Sequence, residues 1–361
     1  MSTENAQNTV QVKKVTKNRI RVDYEGKMSF WKRLRLKVFS TYFLTQVVWH
    51  VFRFIIMLGI SYVILFPFFS KIAGSFMGME DFVDVTVRII PKHFTFDTYK
   101  AIFLENNYLD AFLNTLLLSF SAALLQTFVC CMIGYGLAKF KFKGNKLILI
   151  CVILTMIVPH ETLRLSFTMH FRYFDIGGLA GFTTDKGTRI IPGLLQLLGV
   201  NIMDLDLLNT FWPMLIISAT GLAFKNGLYI FMLRQFFHGV PDELEESAYV
   251  DGSSVMRTFF SIILPLSIPM MITVFLFAFS WQWTDEFYTR LFFPGSNRIT
   301  LMPDIVQNIP KSLQTNYAGQ SLYYSAIRNT AGLMIIFPLV IVYLFCQKYL
   351  VQGIERSGIV G

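Results

Sequence analysis

The stretch Thr258–Thr284 reads TFFSIILPLSIPMMITVFLFAFSWQWT and contains no Asp, Glu, Lys or Arg. A helix that crosses the hydrocarbon core of a bilayer needs about 20 mostly apolar residues, so this stretch is long enough to span a membrane. Four further long stretches are mostly apolar and also lack Asp, Glu, Lys and Arg: Phe54–Ser70, Ala111–Ala138, Leu207–Phe224 and Asn329–Gln347. The pattern predicts a chain built mainly of transmembrane helices.

A sixth apolar stretch, Leu147–His160, reaches spanning length only if its helix continues through two charged residues to Phe171. The stretch that begins at Leu207 likewise continues through Lys225 to Leu233. We therefore predict an all-α membrane protein with six transmembrane helices.

The composition agrees with this architecture. The chain has 361 residues, of which 54% are hydrophobic and only 15% are charged, whereas about a quarter of a soluble domain is charged. This balance excludes a disordered chain and disfavours a soluble fold. Four cysteines lie in apolar runs without Cys-x-x-Cys spacing: Cys130, Cys131, Cys151 and Cys346. This pattern predicts small hydrophobic side chains in helices instead of disulfides or a zinc site.

The basic residues predict the orientation. Residues 1–50 carry ten Lys or Arg and three acids, and the short segment 139–146 holds four lysines. Basic segments beside spans stay on the cytoplasmic side, where they meet anionic lipid. Because the basic run ends at an apolar segment, we expect membrane lipid as its partner and no nucleic acid. An even number of spans then places both termini in the cytoplasm.

The segment 234–257, predicted to face the cytoplasm, is acidic. Pro241 can start a helix, and Gly252 interrupts the pattern as a turn residue would. Five acids lie between these two residues: Asp242, Glu243, Glu245, Glu246 and Asp251. Three apolar residues suggest that the segment has one apolar side: Leu244, Ala248 and Val255. The pattern predicts a helix–turn–helix that lies along the membrane and exposes carboxylates.

The same segment carries a motif at a specific spacing: Glu246-Ser247-Ala248, then Gly252 and, after nine intervening residues, Ile262-x-Leu264-Pro265. It resembles the EAA loop of bacterial binding-protein-dependent ABC importer permeases, with Ser247 where the motif name has Ala. Other motifs are similar to the carbohydrate branch of that family, the maltose-permease type: Asn114-Thr115, Gly134-Tyr135-x-Leu137-Ala138-Lys139-Phe140, Leu233-Arg234-Gln235-Phe236-Phe237 and Tyr349-Leu350-Val351-x-Gly353-Ile354.

The resemblance implies a type I ABC importer permease fold and import of a sugar or oligosaccharide across the bacterial plasma (inner) membrane. In this family the EAA loop docks on the ATP-binding subunit and couples its closure to the pore. The residues that the resemblance implies for this coupling are Glu245, Glu246, Ala248, Asp251, Gly252, Leu264 and Pro265. The implied partners are a second permease subunit, two ATP-binding subunits, an extracellular or periplasmic substrate-binding protein, and the sugar.

The resemblance also implies the organisation of the chain. A basic cytoplasmic tail (1–50) precedes the first transmembrane helix and outer loop (51–110). A five-helix core (111–349) follows, with the coupling loop at 239–257, and a cytoplasmic tail (350–361) ends the chain. A long amino-terminal tail and an outer loop near 175–206, which looks like an insertion, differ from a typical member.

Motifs of catalysis and of nucleotide binding are missing. The only Gly-Lys pair, Gly26-Lys27, is not part of a phosphate-binding loop. His160-Glu161 begins like a zinc metalloprotease motif, but that motif requires a histidine at the position that Arg164 occupies. We therefore expect no enzyme and no cofactor or metal, with ATP bound by partner subunits. A secondary transporter, a multi-pass membrane enzyme and an ABC importer for a non-sugar solute are the alternatives, but the first two leave the acidic motif unexplained.

Polar residues inside spans are costly in lipid and therefore suggest a substrate pathway. The candidates are Lys225, Asn226, Tyr229, Gln282 and Trp283. Lys225 and Tyr229 are predicted to share a helix face, where they could serve a neutral or an acidic sugar. The alternatives are an interhelical contact or a snorkelling lysine for Lys225, and an interfacial anchor for Trp283. Glu161 and Arg164 are predicted to form an ion pair.

Overall fold

The computed structural model describes residues 41–174, 181–183, 189–192, 206–294, 299–316 and 319–356. Its α-helices are, in chain order, α1 (Thr41–Gly74), α2 (Asp97–Glu105), α3 (Tyr108–Lys139), α4 (Asn145–Ile157), α5 (Arg164–Arg172), α6 (Trp212–Ala219), α7 (Asn226–His238), α8 (Glu243–Val250), α9 (Val255–Thr258), α10 (Leu264–Trp283), α11 (Phe287–Phe292), α12 (Met302–Gln307) and α13 (Gln320–Arg356). A short antiparallel hairpin pairs β1 (Gly181–Thr183) with β2 (Arg189–Pro192).

Several predicted segments fall at the edges of these ranges. Most of the predicted basic tail, residues 1–40, lies outside the described residues. The predicted insertion near 175–206 is described only at the β-hairpin and at Asp206. Helix α13 continues to Arg356, beyond the predicted start of the carboxyl-terminal tail at residue 350.

The chain divides into two compact units between Phe69 and Ser70. In the first unit, the described residues belong to α1. Every side chain from Thr45 to Phe69 is exposed, and most of them are apolar. A helix with apolar side chains on all its faces suits a lipid environment and not water.

The central helix of the second unit is α3. It packs against α6, α7 and α10, and α10 packs in turn against α13. Small side chains on α3, including Ala122, Ala123, Cys130 and Cys131, are fully buried. Small residues let membrane helices approach closely. As predicted, all four cysteines lie in helices and none forms a disulfide; Cys130 and Cys131 are buried, whereas Cys151 is exposed.

Helices α3 and α7 pack closely against each other at Gly134. A Cβ atom added there would lie 2.9 Å from the Leu233 Cβ and 3.0 Å from the Arg234 nitrogen. At Gly136, two residues further along α3, the nearest atom would be the Phe140 Cδ2 at 3.9 Å. The two helices therefore require glycine at the first position and tolerate a side chain at the second.

We expect Gly134→Ala to destabilise the protein by about 1–3 kcal/mol, because the added methyl group must push α7 away from α3. The matched control is Gly136→Ala, which should be neutral or slightly stabilising because alanine favours a helix. The measurement is thermal unfolding of each variant in detergent. Equal melting temperatures for the two variants would contradict this packing.

The all-α membrane fold is as predicted, but two of the six predicted spans are not continuous helices. Within the described ranges, four helices are long and apolar enough to cross a membrane: Thr45–Gly74, Tyr108–Lys139, Val255–Trp283 and Gln320–Val351. The predicted third span is a pair of helical segments, Asn145–Ile157 and His160–Arg172, bent by 92°. The predicted fourth span is divided into α6 and α7.

Backbone chemistry explains both breaks. Pro159 has no N–H to continue a helix and disfavours helical geometry in Val158, which is extended at φ −70° and ψ 120°. Between α6 and α7, Gly221 and Lys225 have φ values of +76° and +70°, which a right-handed helix cannot contain. Counting charged residues located these spans but could not detect the breaks.

Candidate functional site

The acidic segment forms the helix–turn–helix that its sequence predicts. Helix α8 is followed by a turn at Gly252, where φ is +79°, and then by the short helix α9. In the turn, the Ser253 nitrogen donates to the Ala248 carbonyl at 2.9 Å, which closes the end of α8. The Ser254 side chain caps α9 by accepting from the Arg257 nitrogen. Local signals thus build a compact two-helix unit between α7 and α10.

The two sides of α8 differ in chemistry. Glu245 and Ala248 are buried, at 7% and 4% exposure, whereas Glu246 and Asp251 are exposed. Large apolar side chains are also exposed on α8 and on the neighbouring α9: Leu244, Tyr249, Val250, Val255 and Met256. The suggested apolar side therefore needs correction, because Leu244 and Val255 face outward and only Ala248 faces the core. A surface that combines acids with large apolar side chains suits a protein partner.

Glu245 faces the chain itself because Lys139, at the end of α3, supplies its counter-charge. The Lys139 Nζ lies 3.6 Å from the Glu245 Oε1 and donates to the Asp242 Oδ1 at 2.5 Å and to the Val240 carbonyl at 2.6 Å. The Tyr135 hydroxyl donates to the Glu245 Oε2 at 3.3 Å. The hydrogen bond from Lys139 also lowers the pKa of Asp242. We call Tyr135, Lys139, Asp242 and Glu245 the α3–α8 charge cluster.

This cluster changes the interpretation of two predicted residues. Glu245 and Ala248 are buried against their own chain, while the predicted coupling residues Glu246 and Asp251 are exposed beside apolar residues. Farther along, Leu264 is half-buried and Pro265 is exposed at the start of α10. The sequence places Lys139 in a basic loop and in a family motif but predicts no partner for it. Its side chain is 6% exposed and serves as an internal partner.

A second group of polar residues lies where the two interrupted spans meet. A cavity of about 600 Å³ is lined from one side by Val158, Pro159 and His160 and from the other by Phe224 and Lys225. A smaller cavity of about 210 Å³ adjoins it at His160 and Phe224. Both breaks in the helical backbone thus border the same space.

Lys225 is held over aromatic rings in this space. Its Nζ lies 4.4 Å from the centre of the Phe224 ring and 4.7 Å from the centre of the Trp281 ring. Both contacts have cation–π geometry. The His160 imidazole is hydrogen-bonded to the Tyr288 hydroxyl, and the predicted ion pair between Glu161 and Arg164 is not formed.

The other predicted pathway residues are more buried than their pattern indicates. Asn226 and Tyr229 are 0% and 1% exposed, so the interior of the helix bundle surrounds them, whereas Lys225 is half-buried. Trp283 is 1% exposed and donates its indole N–H to the Ile335 carbonyl at 3.0 Å, which makes it a packing residue. Gln282 is half-buried beside a small hollow. The exposed aromatic residue is Trp281, at 51%, which the sequence reading missed.

Residues 131–356 match the protein family described as "Binding-protein-dependent transport system inner membrane component". The chain belongs to this family. As a permease component of this family it is a transport protein and not an enzyme, and it is a multi-pass protein of the inner membrane. The predicted family and its all-α fold are confirmed.

Individual relatives of this permease cover most of the chain. It is 27% identical to protein LplC of Bacillus subtilis over 84% of this chain and 92% of that protein. It is 26% identical to the arabinooligosaccharides transport system permease protein AraQ of Bacillus subtilis, over 85% of this chain and 94% of that protein. A solved bacterial ABC transporter involved in import of the acidic polysaccharide alginate shares the fold, with a TM-score of 0.61 and 18% identity over 84% of this chain and 97% of that chain.

Proposed function

We propose that the chain is the permease subunit of an ABC importer that carries a sugar or oligosaccharide across the plasma membrane. The observation that carries this proposal is the helix–turn–helix formed by α8 and α9. It connects α7 to α10 and exposes both acidic and large apolar side chains. A rigid two-helix element of this kind can transmit the movement of a docked subunit to the spans. The named substrates of relatives such as AraQ support a sugar as cargo.

The proposed mechanism divides the work among several subunits. Two ATP-binding subunits bind and hydrolyse ATP in the cytoplasm, and one of them docks on the surface around Glu246. A second permease subunit completes the pore, and a substrate-binding protein delivers the sugar from outside. The chain itself uses no cofactor. ATP-driven closure moves α8, and the α3–α8 charge cluster passes that movement to α3.

The test of this function is uptake by cells that lack the subunit. We expect their import of one class of radiolabelled oligosaccharide to stop and to return when the chain is supplied from a plasmid. Uptake of a solute carried by an unrelated transporter is the control and should not change. Normal import of every oligosaccharide, together with loss of a non-sugar solute, would contradict the proposal.

The orientation is a separate prediction, with both termini and residues 139–146 in the cytoplasm. In a variant without native cysteines, Lys143→Cys should be protected from a membrane-impermeant thiol reagent in intact cells. Gln314→Cys, on the predicted outer side, should react. Both positions are exposed on the chain, so burial cannot explain a difference. Labelling of Lys143→Cys and protection of Gln314→Cys would reverse the orientation.

A further inference from the structure

The cavity at the two helix breaks has the architecture of a binding site inside a membrane. Irregular backbone at membrane depth persists where it is buried in protein or lines a polar cavity. In transporters, interrupted helices often border the substrate. Here the break at Val158 and Pro159 and the break that ends at Lys225 line one space of about 600 Å³. That volume is within the range of small-molecule sites.

The lining of this cavity is mostly apolar, with few polar groups. Phe167 and Phe224 contribute aromatic surface, and the polar groups include the His160 imidazole and the Lys225 ammonium. Trp281 approaches the same ammonium and leaves half of its surface exposed. Flat aromatic rings beside a small number of fixed polar groups suit a sugar ring, which has apolar faces and polar edges.

The charge of Lys225 is unbalanced within the described residues. Lys139 and Lys92 each have a carboxylate oxygen 2.5 Å from the ammonium nitrogen. No carboxylate within 4 Å and no hydrogen-bond acceptor is found for the Lys225 ammonium among the residues that the structure describes; its contacts are the two rings. Cation–π contacts compensate only part of the cost of a charge inside a membrane.

Two carboxylates border the adjoining smaller cavity, those of Glu161 and Asp285, and neither forms an ion pair with the Lys225 ammonium within 4 Å. The Asp285 Oδ2 accepts from the Tyr288 and Thr289 nitrogens at 2.9 and 3.2 Å. Those bonds hold it at the start of α11. A carboxylate that enters with a ligand would therefore be the counter-charge that Lys225 lacks.

We propose that the cavity at the helix breaks binds a carboxylate-bearing sugar unit, a uronate, during import. Lys225 forms the ion pair with the carboxylate, and Trp281 and Phe224 pack against the sugar ring. The inference rests on the proposed function, since it names the substrate class of that importer. It assigns to this chain a contact that a neutral sugar could not make.

The experiment measures uptake of uronate-containing and neutral oligosaccharides of equal length by cells that produce wild type or Lys225→Met. We expect Lys225→Met to reduce uronate uptake about tenfold or more, the effect of losing a hydrogen bond to a charged group. Uptake of any neutral oligosaccharide should change less than about twofold. Lys225→Arg keeps the charge and should retain uronate uptake. Lys143→Met, which removes an exposed lysine far along the sequence, is the matched control.

The outcomes separate this inference from the proposed function. If wild type imports no sugar of either class, the proposed function fails. If wild type imports only neutral sugars, or if Lys225→Met affects both classes equally, the importer stands and the uronate site is wrong. An equal loss that depends on anionic lipid in reconstituted vesicles would assign Lys225 to a lipid headgroup instead. Should Lys225→Met fail to assemble, Lys225→Gln provides the same comparison with a polar side chain.

Discussion

Replacing Glu246 by lysine should abolish ATP-driven uptake and leave the chain inserted and folded. Glu246 is exposed on the outer side of α8 and has no ion-pair partner within its own described chain. Reversing its charge therefore removes a contact from the docking surface and adds repulsion toward a basic partner. The expected loss is about 2–5 kcal/mol of docking free energy. The measurements are sugar uptake and recovery of the ATP-binding subunit with the purified chain.

Matched variants separate docking from folding. Asp110→Lys makes the same charge change at the opposite end of α3 and should permit docking. Gly252→Trp should also block docking, because a φ of +79° strains any residue with a side chain and because the added ring, which meets no atom of its own chain within 4 Å, would occupy the docking surface. Gly252→Asn should be milder, since asparagine tolerates a positive φ. Normal uptake and normal recovery of the complex with both Glu246→Lys and Gly252→Trp would remove the coupling role from this loop.

The second large effect is expected at Lys139. Its side chain and that of Glu245 are 6% and 9% exposed, so Lys139→Met leaves a nearly buried carboxylate without its counter-charge. Breaking a buried pair from one side typically costs about 3–5 kcal/mol. We expect lower thermal stability of the assembled transporter and loss of sugar uptake. ATP hydrolysis by the docked subunits should continue, because α8 no longer moves with α3.

A double variant tests the pairing directly. Lys139→Met combined with Glu245→Leu removes both charges and should recover most of the lost stability, since a well-packed apolar pair can replace a buried ion pair. Lys139→Arg should retain uptake, and Lys146→Met, an exposed lysine, should behave as wild type. Additive losses in the double variant would show that Lys139 and Glu245 do not act as a pair.

The coupling loop illustrates what the sequence can predict. Pro241, Gly252 and the acids between them are local signals, and they correctly predict two short helices with a turn. The direction in which Glu245 points depends on Lys139, which is distant in sequence and adjacent only after α3 packs beside α8. A motif therefore predicts the element, while tertiary packing decides which of its acids face a partner.

The pathway residues show the same limit. Trp281 and Trp283 have similar sequence surroundings, but the packing of α10 against α13 buries Trp283 and leaves Trp281 half-exposed. The helix breaks could have been anticipated at Pro159 and Gly221, because these residues disrupt a helix whatever the hydropathy. The pairing of His160 with Tyr288 could not, since it joins residues 128 positions apart.

On the proposed function, this chain forms part of a pore that ATP opens for a sugar. The most direct test is uptake of a radiolabelled oligosaccharide by proteoliposomes that contain the purified chain with its second permease and ATP-binding subunits. With ATP at the ATP-binding subunits and the loaded substrate-binding protein on the opposite side, we predict accumulation against a gradient. Omitting ATP or the binding protein should stop it. Equal accumulation without ATP would contradict the account.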